Sequence, residues 1–269
     1  MEEIIKLKDI NYAYFGKVPA LCNINLSINR GELFCVIGQN GCGKSTLLNI
    51  INGLIFPDSG EFFYEDKLIN EKTLKDNSFC NNFRRKFGYI FQTPDIQLFC
   101  PTVFDELLFA PLQMNLSLEE AEHRALETLS YVGIDNLKDR SVLSLSGGEK
   151  KKVAIASVLT INPEILLIDE PLAGLDPKTQ TFFIEMLLEL NHAGKTIIFT
   201  THHLDLIDHL QPRVAVLSEE HNICKIGTAS EILNDEDFLV SVNLIHEHTH
   251  KHGDEVHKHF HSHYVFHKH

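Results

Sequence analysis

Apolar positions follow two rhythms along this 269-residue chain. Short apolar or alternating runs at 4–8, 22–28, 33–37, 61–64, 87–91, 165–168, 196–199, 214–217 and 223–226 predict β-strands. Between them, stretches of helical spacing at 46–52, 146–160, 178–190 and 203–209 predict helices. Turn chemistry punctuates the series: Gly16 and Pro19 separate the first two strands, Arg30-Gly31-Glu32 leads into the third, and Pro57-Asp58-Ser59-Gly60 closes the first helix. Strand and helix alternating in this way predict an α/β fold with a mainly parallel sheet covered on both faces. After Gln92 the alternation stops, and residues 102 to about 139 turn helical. We therefore expect one large domain over residues 1–240, an inserted helical subdomain at about 93–160, and a separate tail at 241–269.

Composition narrows the class. With 43% hydrophobic and 23% charged residues, the chain can bury a sizeable core. No apolar run reaches the roughly 18 residues that cross a bilayer. The start, Met1-Glu2-Glu3-Ile4-Ile5-Lys6, has neither the basic segment nor the apolar stretch of a signal peptide. Six cysteines (22, 35, 42, 80, 100 and 224) show no metal-ligand spacing and no disulfide framework, which predicts a reduced cytosolic setting. A net charge of −13 argues against nucleic acid as a partner, because that grip needs a basic footprint.

The strand at 33–37 runs into Gly38-Gln39-Asn40-Gly41-Cys42-Gly43-Lys44-Ser45-Thr46, with the spacing G-x-x-x-x-G-K-[ST]. Glycines let successive backbone N–H groups turn inward around phosphate oxygens at a helix N-terminus. Lys44 brings a point charge to the terminal phosphates, and Ser45 offers a hydroxyl to Mg²⁺. The segment predicts binding of a nucleoside triphosphate. Cys42, inside this nest and close to Lys44, is expected to have a lowered thiol pKa, so that its alkylation blocks nucleotide binding; a small residue filling a tight loop is the other reading.

Further on, the apolar residues 165–168 deliver two acids at a strand end. Asp169 is expected to hold Mg²⁺ through its water shell. Glu170 is placed to orient and polarise the attacking water as a general base. Shortly before that strand stands Leu145-Ser146-Gly147-Gly148-Glu149. Ser-Gly-Gly ahead of a helix is a second set of N–H donors at a positive dipole end.

In this order the motifs make the chain similar to the ATP-binding subunits of ABC transporters over about residues 3 to 240. The resemblance rests on the phosphate loop, Gln92, LSGGE at 145–149, ILLIDE at 165–170, Ala173-Gly174-Leu175-Asp176 and Thr201-His202. It implies a P-loop NTPase (RecA-like) core with a mainly parallel sheet, an antiparallel β subdomain and an inserted helical subdomain, and transport-coupled ATP hydrolysis. By the same resemblance Tyr14 stacks on adenine, with Tyr12 as the competing choice. Gln92 contacts Mg²⁺ and the lytic water and senses the membrane partner. Ser146, Gly147 and Gly148 grip the γ-phosphate of a nucleotide on the opposite subunit, Asp176 lies at the dimer seam, and His202, favoured over the adjacent His203 by Thr-Thr-His after the apolar strand, reaches the γ-phosphate. Two positions depart from the family pattern: Glu149 replaces a common Gln, and Leu172 stands where Thr or Ser is frequent. The family implies a dimer, of identical or paralogous chains, bound to integral membrane subunits on the cytoplasmic face of the cell membrane.

Residues 91–99 (FQTPDIQLF), followed by Thr102-Val103 and Asp105-Glu106, resemble the energy-coupling-factor ATPases. Those subunits power importers of vitamins and of cobalt or nickel ions. Leu98, Phe99, Phe104, Leu107 and Leu108 are candidates for the surface that meets a membrane subunit; filling the subdomain core is the other reading. Vitamin or zinc import and a soluble ABC ATPase are alternative functions. The short interval between Gln92 and Leu145 and the single phosphate loop speak against the soluble class.

The tail is the substrate clue. Ten histidines fall in its last 24 residues, at 246, 248, 250, 252, 257, 259, 261, 263, 267 and 269. In an extended segment, His-x-His-x-His brings alternate imidazoles to one side. Imidazole suits Ni²⁺ and Co²⁺, as well as Zn²⁺ and Cu²⁺. His246, His248, His250, His252, His257, His259, His261 and His263 are the candidate ligands for a divalent metal; a purification tag, against which the interspersed Phe260, Tyr264 and Phe266 speak, and a purely solvated low-complexity tail are the other readings.

Overall fold

A computed structural model of the chain describes residues 2–252 and 255–262. The first half of the chain runs β1 (Glu3–Tyr14), β2 (Val18–Asn29), β3 (Leu33–Gly38), α1 (Lys44–Ile51), β4 (Ser59–Tyr64), β5 (Lys67–Ile69), α2 (Asn77–Lys86) and β6 (Phe87–Ile90). Three helices follow, α3 (Val103–Gln113), α4 (Leu118–Val132) and α5 (Gly147–Leu159). Alternation then resumes with β7 (Ile165–Ile168), α6 (Pro177–His192), β8 (Thr196–Thr201), α7 (Leu204–Leu210), β9 (Arg213–Leu217) and β10 (Ile223–Thr228). The end is α8 (Ala229–Leu233), α9 (Glu236–Ser241), β11 (Ile245–His252) and β12 (Glu255–Ser262).

Two sheets organise the body. One is six-stranded with order β10-β9-β3-β8-β7-β6. Its members are parallel except for β10, which pairs antiparallel with β9 at the edge. Strands β3, β7 and β8 are buried along nearly their whole length, as expected for a parallel sheet covered on both faces. The second sheet is antiparallel, order β2-β1-β4-β5. Its inward residues, Ile5, Leu7, Ile24 and Phe62, share one core with α1 and one face of the main sheet. The opposite face packs on α6, α7 and α8 through Phe183, Leu187, Ile207 and Ile232.

Helices α3, α4 and α5 enclose a core of their own around Val103, Leu107, Leu129 and Val153. Of the five residues expected at a membrane-facing surface, Leu98 and Leu107 are buried in that core, and Phe104 and Leu108 pack against it. Only Phe99 is broadly exposed, and it meets Phe109 edge to face.

Among the described residues, no helix is long and apolar enough to cross a membrane. Leu244 and Ile245 are buried in the main core. Beyond them, β11 and β12 pair with each other alone in an antiparallel hairpin. His263, His267 and His269 lie outside the described residues.

The parallel order has one consequence for chemistry. Strands β3, β6, β7 and β8 end at the same edge of the sheet, and they lead respectively to Gly38, Gln92, Asp169 and His202. Open α/β sheets bind ligands at that carboxyl edge.

Candidate functional site

A cleft of ≈320 Å³ opens at this edge, lined by Tyr14, Asn40, Gly41, Gly43, Lys44, Ser45, Thr46, Gln92, Asp169 and Glu170, with Val18, Pro19 and Ala20 of β2 closing one side. Its floor is the loop between β3 and α1. Gly43 has φ +112°, and a Cβ there would lie 2.1 Å from the carbonyl oxygen of Ala20, so only glycine lets the loop pass β2. Lys44 is buried, and its Nζ donates to the carbonyls of Gly38 (2.8 Å) and Gln39 (3.0 Å), which hold the ammonium over the loop. Helix α1 has no side-chain cap and no acid in its first turn. Its leading N–H groups and positive dipole end are therefore left for an anion.

Three loop residues do not line the cleft. Gly38 lies so close to Leu217 that a Cβ would meet its carbonyl oxygen at 2.6 Å. The Gln39 side chain reaches the Asn243 carbonyl. Cys42 turns into the interior and is 2% exposed. Burial pushes its thiol up, against the smaller pull of Lys44, so the lowered pKa expected from the loop position is corrected.

Tyr14 lines the cleft, with its hydroxyl 3.1 Å from Thr46 Oγ1. Tyr12 packs against the core instead and meets Tyr14 edge to face at 5.1 Å.

Asp169 and Glu170 are both buried at the end of β7. The hydroxyl of Thr200 donates to Asp169 Oδ1 (2.6 Å) and accepts the amide of Glu170 (3.0 Å). Glu170 has φ +48°, a left-handed conformation uncommon for a glutamate. Its Oε1 lies 2.9 Å from Nδ1 of His202, the donor depending on the imidazole tautomer. Its Oε2 is buried and has no hydrogen-bond partner among the described residues. A buried carboxylate oxygen without a protein donor is a fitting acceptor for a reacting water. The hydroxyl of Ser45, the amide of Gln92 and the carboxylate of Asp169 supply the hard oxygen donors that Mg²⁺ prefers.

Ser146, Gly147 and Gly148 do not join this cleft. Ser146 caps α5, accepting the amide of Glu149, while the Glu149 carboxylate accepts the Ser146 amide and hydroxyl, both at 2.8 Å. Arg140 donates to the other carboxylate oxygen. Glutamate in place of the common glutamine therefore completes a capping box. Asp176 caps α6 and accepts both the amide and the hydroxyl of Thr179.

Two site residues escape sequence reasoning. Thr200 is one; its only signal is a threonine pair closing an apolar strand. The other is Lys151, 1% exposed, whose ammonium burial pushes down to about 8 against the attraction of Asp169 and Glu170. In sequence it is one of three consecutive lysines, at 150–152.

A phosphate loop between a strand and a helix, with acids at the end of a parallel strand one place removed in the same sheet, defines a P-loop nucleoside triphosphatase. The chain matches the ABC transporter family over residues 21–173, and it belongs to that family. It is an ABC-type ATPase, and it binds ATP. It is 49% identical over 256 residues to a Methanosarcina acetivorans protein provisionally named an ABC transporter ATP-binding protein, covering 94% of this chain and 93% of the other. It is 41% identical to the nickel import ATP-binding protein of Rhodobacter capsulatus (87% and 92% covered). It is 40% identical to an energy-coupling factor transporter ATP-binding protein of Methanothermobacter thermautotrophicus (90% and 76% covered). Among solved structures, cbiO1 of Clostridium perfringens, part of the ABC transporter complex cbiONQ, superposes with TM-score 0.77 at 36% identity (91% and 96% covered). A dimeric ATP-binding cassette in a post-hydrolysis state with ADP and Pi does so with TM-score 0.76 at 31% identity (84% and 99% covered).

Proposed function

We propose that this ATPase energises a membrane importer of nickel or cobalt ions, working as a dimer of identical or paralogous chains against integral membrane subunits. The observation that carries the metal assignment is the register of the tail hairpin: His246 pairs with His261, His248 with His259 and His250 with His257. Positions two apart on paired strands share one face, so six histidines recur at neighbouring register positions of one face. Neutral imidazoles at neutral pH are the form that ligates Ni²⁺ or Co²⁺. Relatives named for nickel import and for a cbiONQ complex point the same way.

In this reading the phosphate loop and Lys44 hold the triphosphate, and Tyr14 stacks on the base. Glu170 orients the lytic water and takes its proton as the water oxygen bonds to the γ-phosphorus and ADP departs. His202, against Glu170 Oε1, keeps that carboxylate in place and reaches toward the γ-phosphate. Mg²⁺, held by Ser45, Gln92 and Asp169, would supply charge neutralisation on the phosphate oxygens. Ser146, Gly147 and Gly148 complete the nucleotide site of the opposite protomer, with Asp176 at the seam. A groove rimmed by Phe99 and Phe109 is the surface we assign to the membrane subunit.

Glu170→Gln is expected to keep ATP binding, lose turnover and accumulate as a dimer with Mg-ATP, whereas Lys44→Ala loses binding. Unchanged turnover in Glu170→Gln overturns the base assignment. Titration of Ni²⁺ and Co²⁺ into the full chain and into a chain ending at Ile245 tests the tail; equal binding by both removes its role. Nickel and cobalt uptake that is the same in cells with and without the protein overturns the importer assignment.

A further inference from the structure

On the reading just given, Gln92 serves the chain's own nucleotide and Ser146 serves the nucleotide across the dimer. The inference that follows rests on that two-site reading. Within one chain these two elements are tied together by side chains. Lys151 lies one turn into α5, and from the interior its Nζ donates to the backbone carbonyls of Phe91 (3.0 Å) and Gln92 (3.2 Å). Gln97 makes a neighbouring tie: its Oε1 accepts the Phe91 amide (3.2 Å) and its Nε2 donates to the carbonyl of Ala154 (2.7 Å). Lys150 adds a third, an ion pair with Asp95 at 2.5 Å. Residues 91–97 are thus fastened to α5 at three successive points.

Stability does not account for the lysine. A charge kept in the interior costs more than an apolar side chain of the same volume. What an ammonium provides is several donors on one compact centre, able to hold two carbonyls at once as they shift. A displacement of the Gln92 carbonyl therefore reaches α5, and the N-terminus of that helix lies only about 6 Å further along its axis. Ser146, Gly147 and Gly148 stand at that end.

We propose that Lys151 is a positioning residue that links the state of Gln92 to the donors at the N-terminus of α5, so that occupancy of one nucleotide site in the dimer sets the geometry offered to the other. The link is a contact within the chain and needs no movement of the sheet.

Purified full-length protein carrying Lys151→Met or Lys151→Gln tests this. Methionine keeps the stem and removes the donors; glutamine keeps an N–H donor. With trinitrophenyl-ATP as the probe, Lys151→Met is expected to bind within about twofold of the wild type. With Mg-ATP its KM should stay near the wild-type value, its kcat should fall about tenfold, and its Hill coefficient should fall toward unity. Lys151→Gln should recover most of the rate and the cooperativity. Unchanged kcat and cooperativity in Lys151→Met overturn the proposal. So does equal loss in both variants that follows a lowered melting temperature, since that pattern describes packing alone. Where Lys151→Met does not fold, Gln97→Leu cuts the neighbouring tie and is judged by the same criteria. If Glu170→Gln with intact Lys151 never dimerises on Mg-ATP, the two-site reading falls and takes this link with it; failure of the Lys151 variants alone leaves that reading standing.

Discussion

Thr200 Oγ1 lies 2.6 Å from Asp169 Oδ1, donating its proton to that carboxylate from the adjacent strand. The same oxygen accepts the Glu170 amide. A hydroxyl carries one proton and two lone pairs, and here it is used in both senses. One buried side chain thereby fixes the two acids presented at the end of β7.

Thr200→Val keeps the shape and removes the hydroxyl. It leaves a carboxylate oxygen and an amide without that partner, each at a cost of about 1–3 kcal/mol. Melting temperature is expected to fall, and kcat to fall about tenfold or more, with ATP still bound. Thr200→Ser should restore much of both. Steady-state ATPase assays beside calorimetry decide it, and a Thr200→Val enzyme with wild-type kcat refutes the role.

The Lys151 ammonium offers a pH signature. Burial brings it from 10.5 to about 8, so between those values the unfolded chain binds its proton more tightly than the folded one. The cost of the buried charge is fully present below about pH 8 and is relieved as pH rises toward 10.5. Tyr64 and Tyr89, whose hydroxyls burial pushes upward, work in the opposite direction at high pH. The measurement is therefore the difference between wild type and Lys151→Met in urea unfolding. That difference should move in favour of the wild type by up to about 1.4 kcal/mol per pH unit above pH 8. A flat difference contradicts confinement of the charge.

Cys42 should resist thiol reagents. Its sulfur is buried and its thiolate is disfavoured by that burial. Partial alkylation of the folded protein followed by peptide mapping should find exposed Cys224 modified well before Cys42 and Cys35. Early modification of Cys42 means that the loop opens on the timescale of labelling.

The chain end divides sharply in its contribution to stability. Leu244 and Ile245 are buried beside Leu239 and Phe238. A chain ending at Ile245 should melt like the full protein. Ending at Asn243 removes two buried aliphatic side chains, worth about 3 kcal/mol or more, and should lower the melting temperature measurably. Equal melting of the two truncations rules out the packing role.

How much of this could be read from sequence depends on where each partner sits. Residues 165–168 match β7 because all four positions of the strand are buried and apolar. The phosphate loop and the Asp169-Glu170 pair are legible because their chemistry fixes local spacing. The first two strands, expected at 4–8 and 22–28, extend to Glu3–Tyr14 and Val18–Asn29. The added part of β1 carries Asp9 and Asn11, and the added start of β2 carries Pro19, residues that are rare inside strands. Helix α2 leaves no pattern, since asparagine and serine are weak helix formers. It is held by its Asp76 cap and by Phe83 stacking on Phe87 at 4.3 Å. Thr200 and Lys151 share that difficulty: sheet order and helix packing bring their partners from 30 to 60 residues away.

The left-handed backbone at Glu170 sets a limit on the evolution of this enzyme. Asparagine or glycine would rest there more comfortably than glutamate, whose φ of +48° stores on the order of 1 kcal/mol. With Glu170 as the proposed base, a lineage selected for endurance to heat alone would drift toward those residues and hold its nucleotide in silence. Retention of the acid is therefore a running tax on stability, sustained only while turnover matters to the cell.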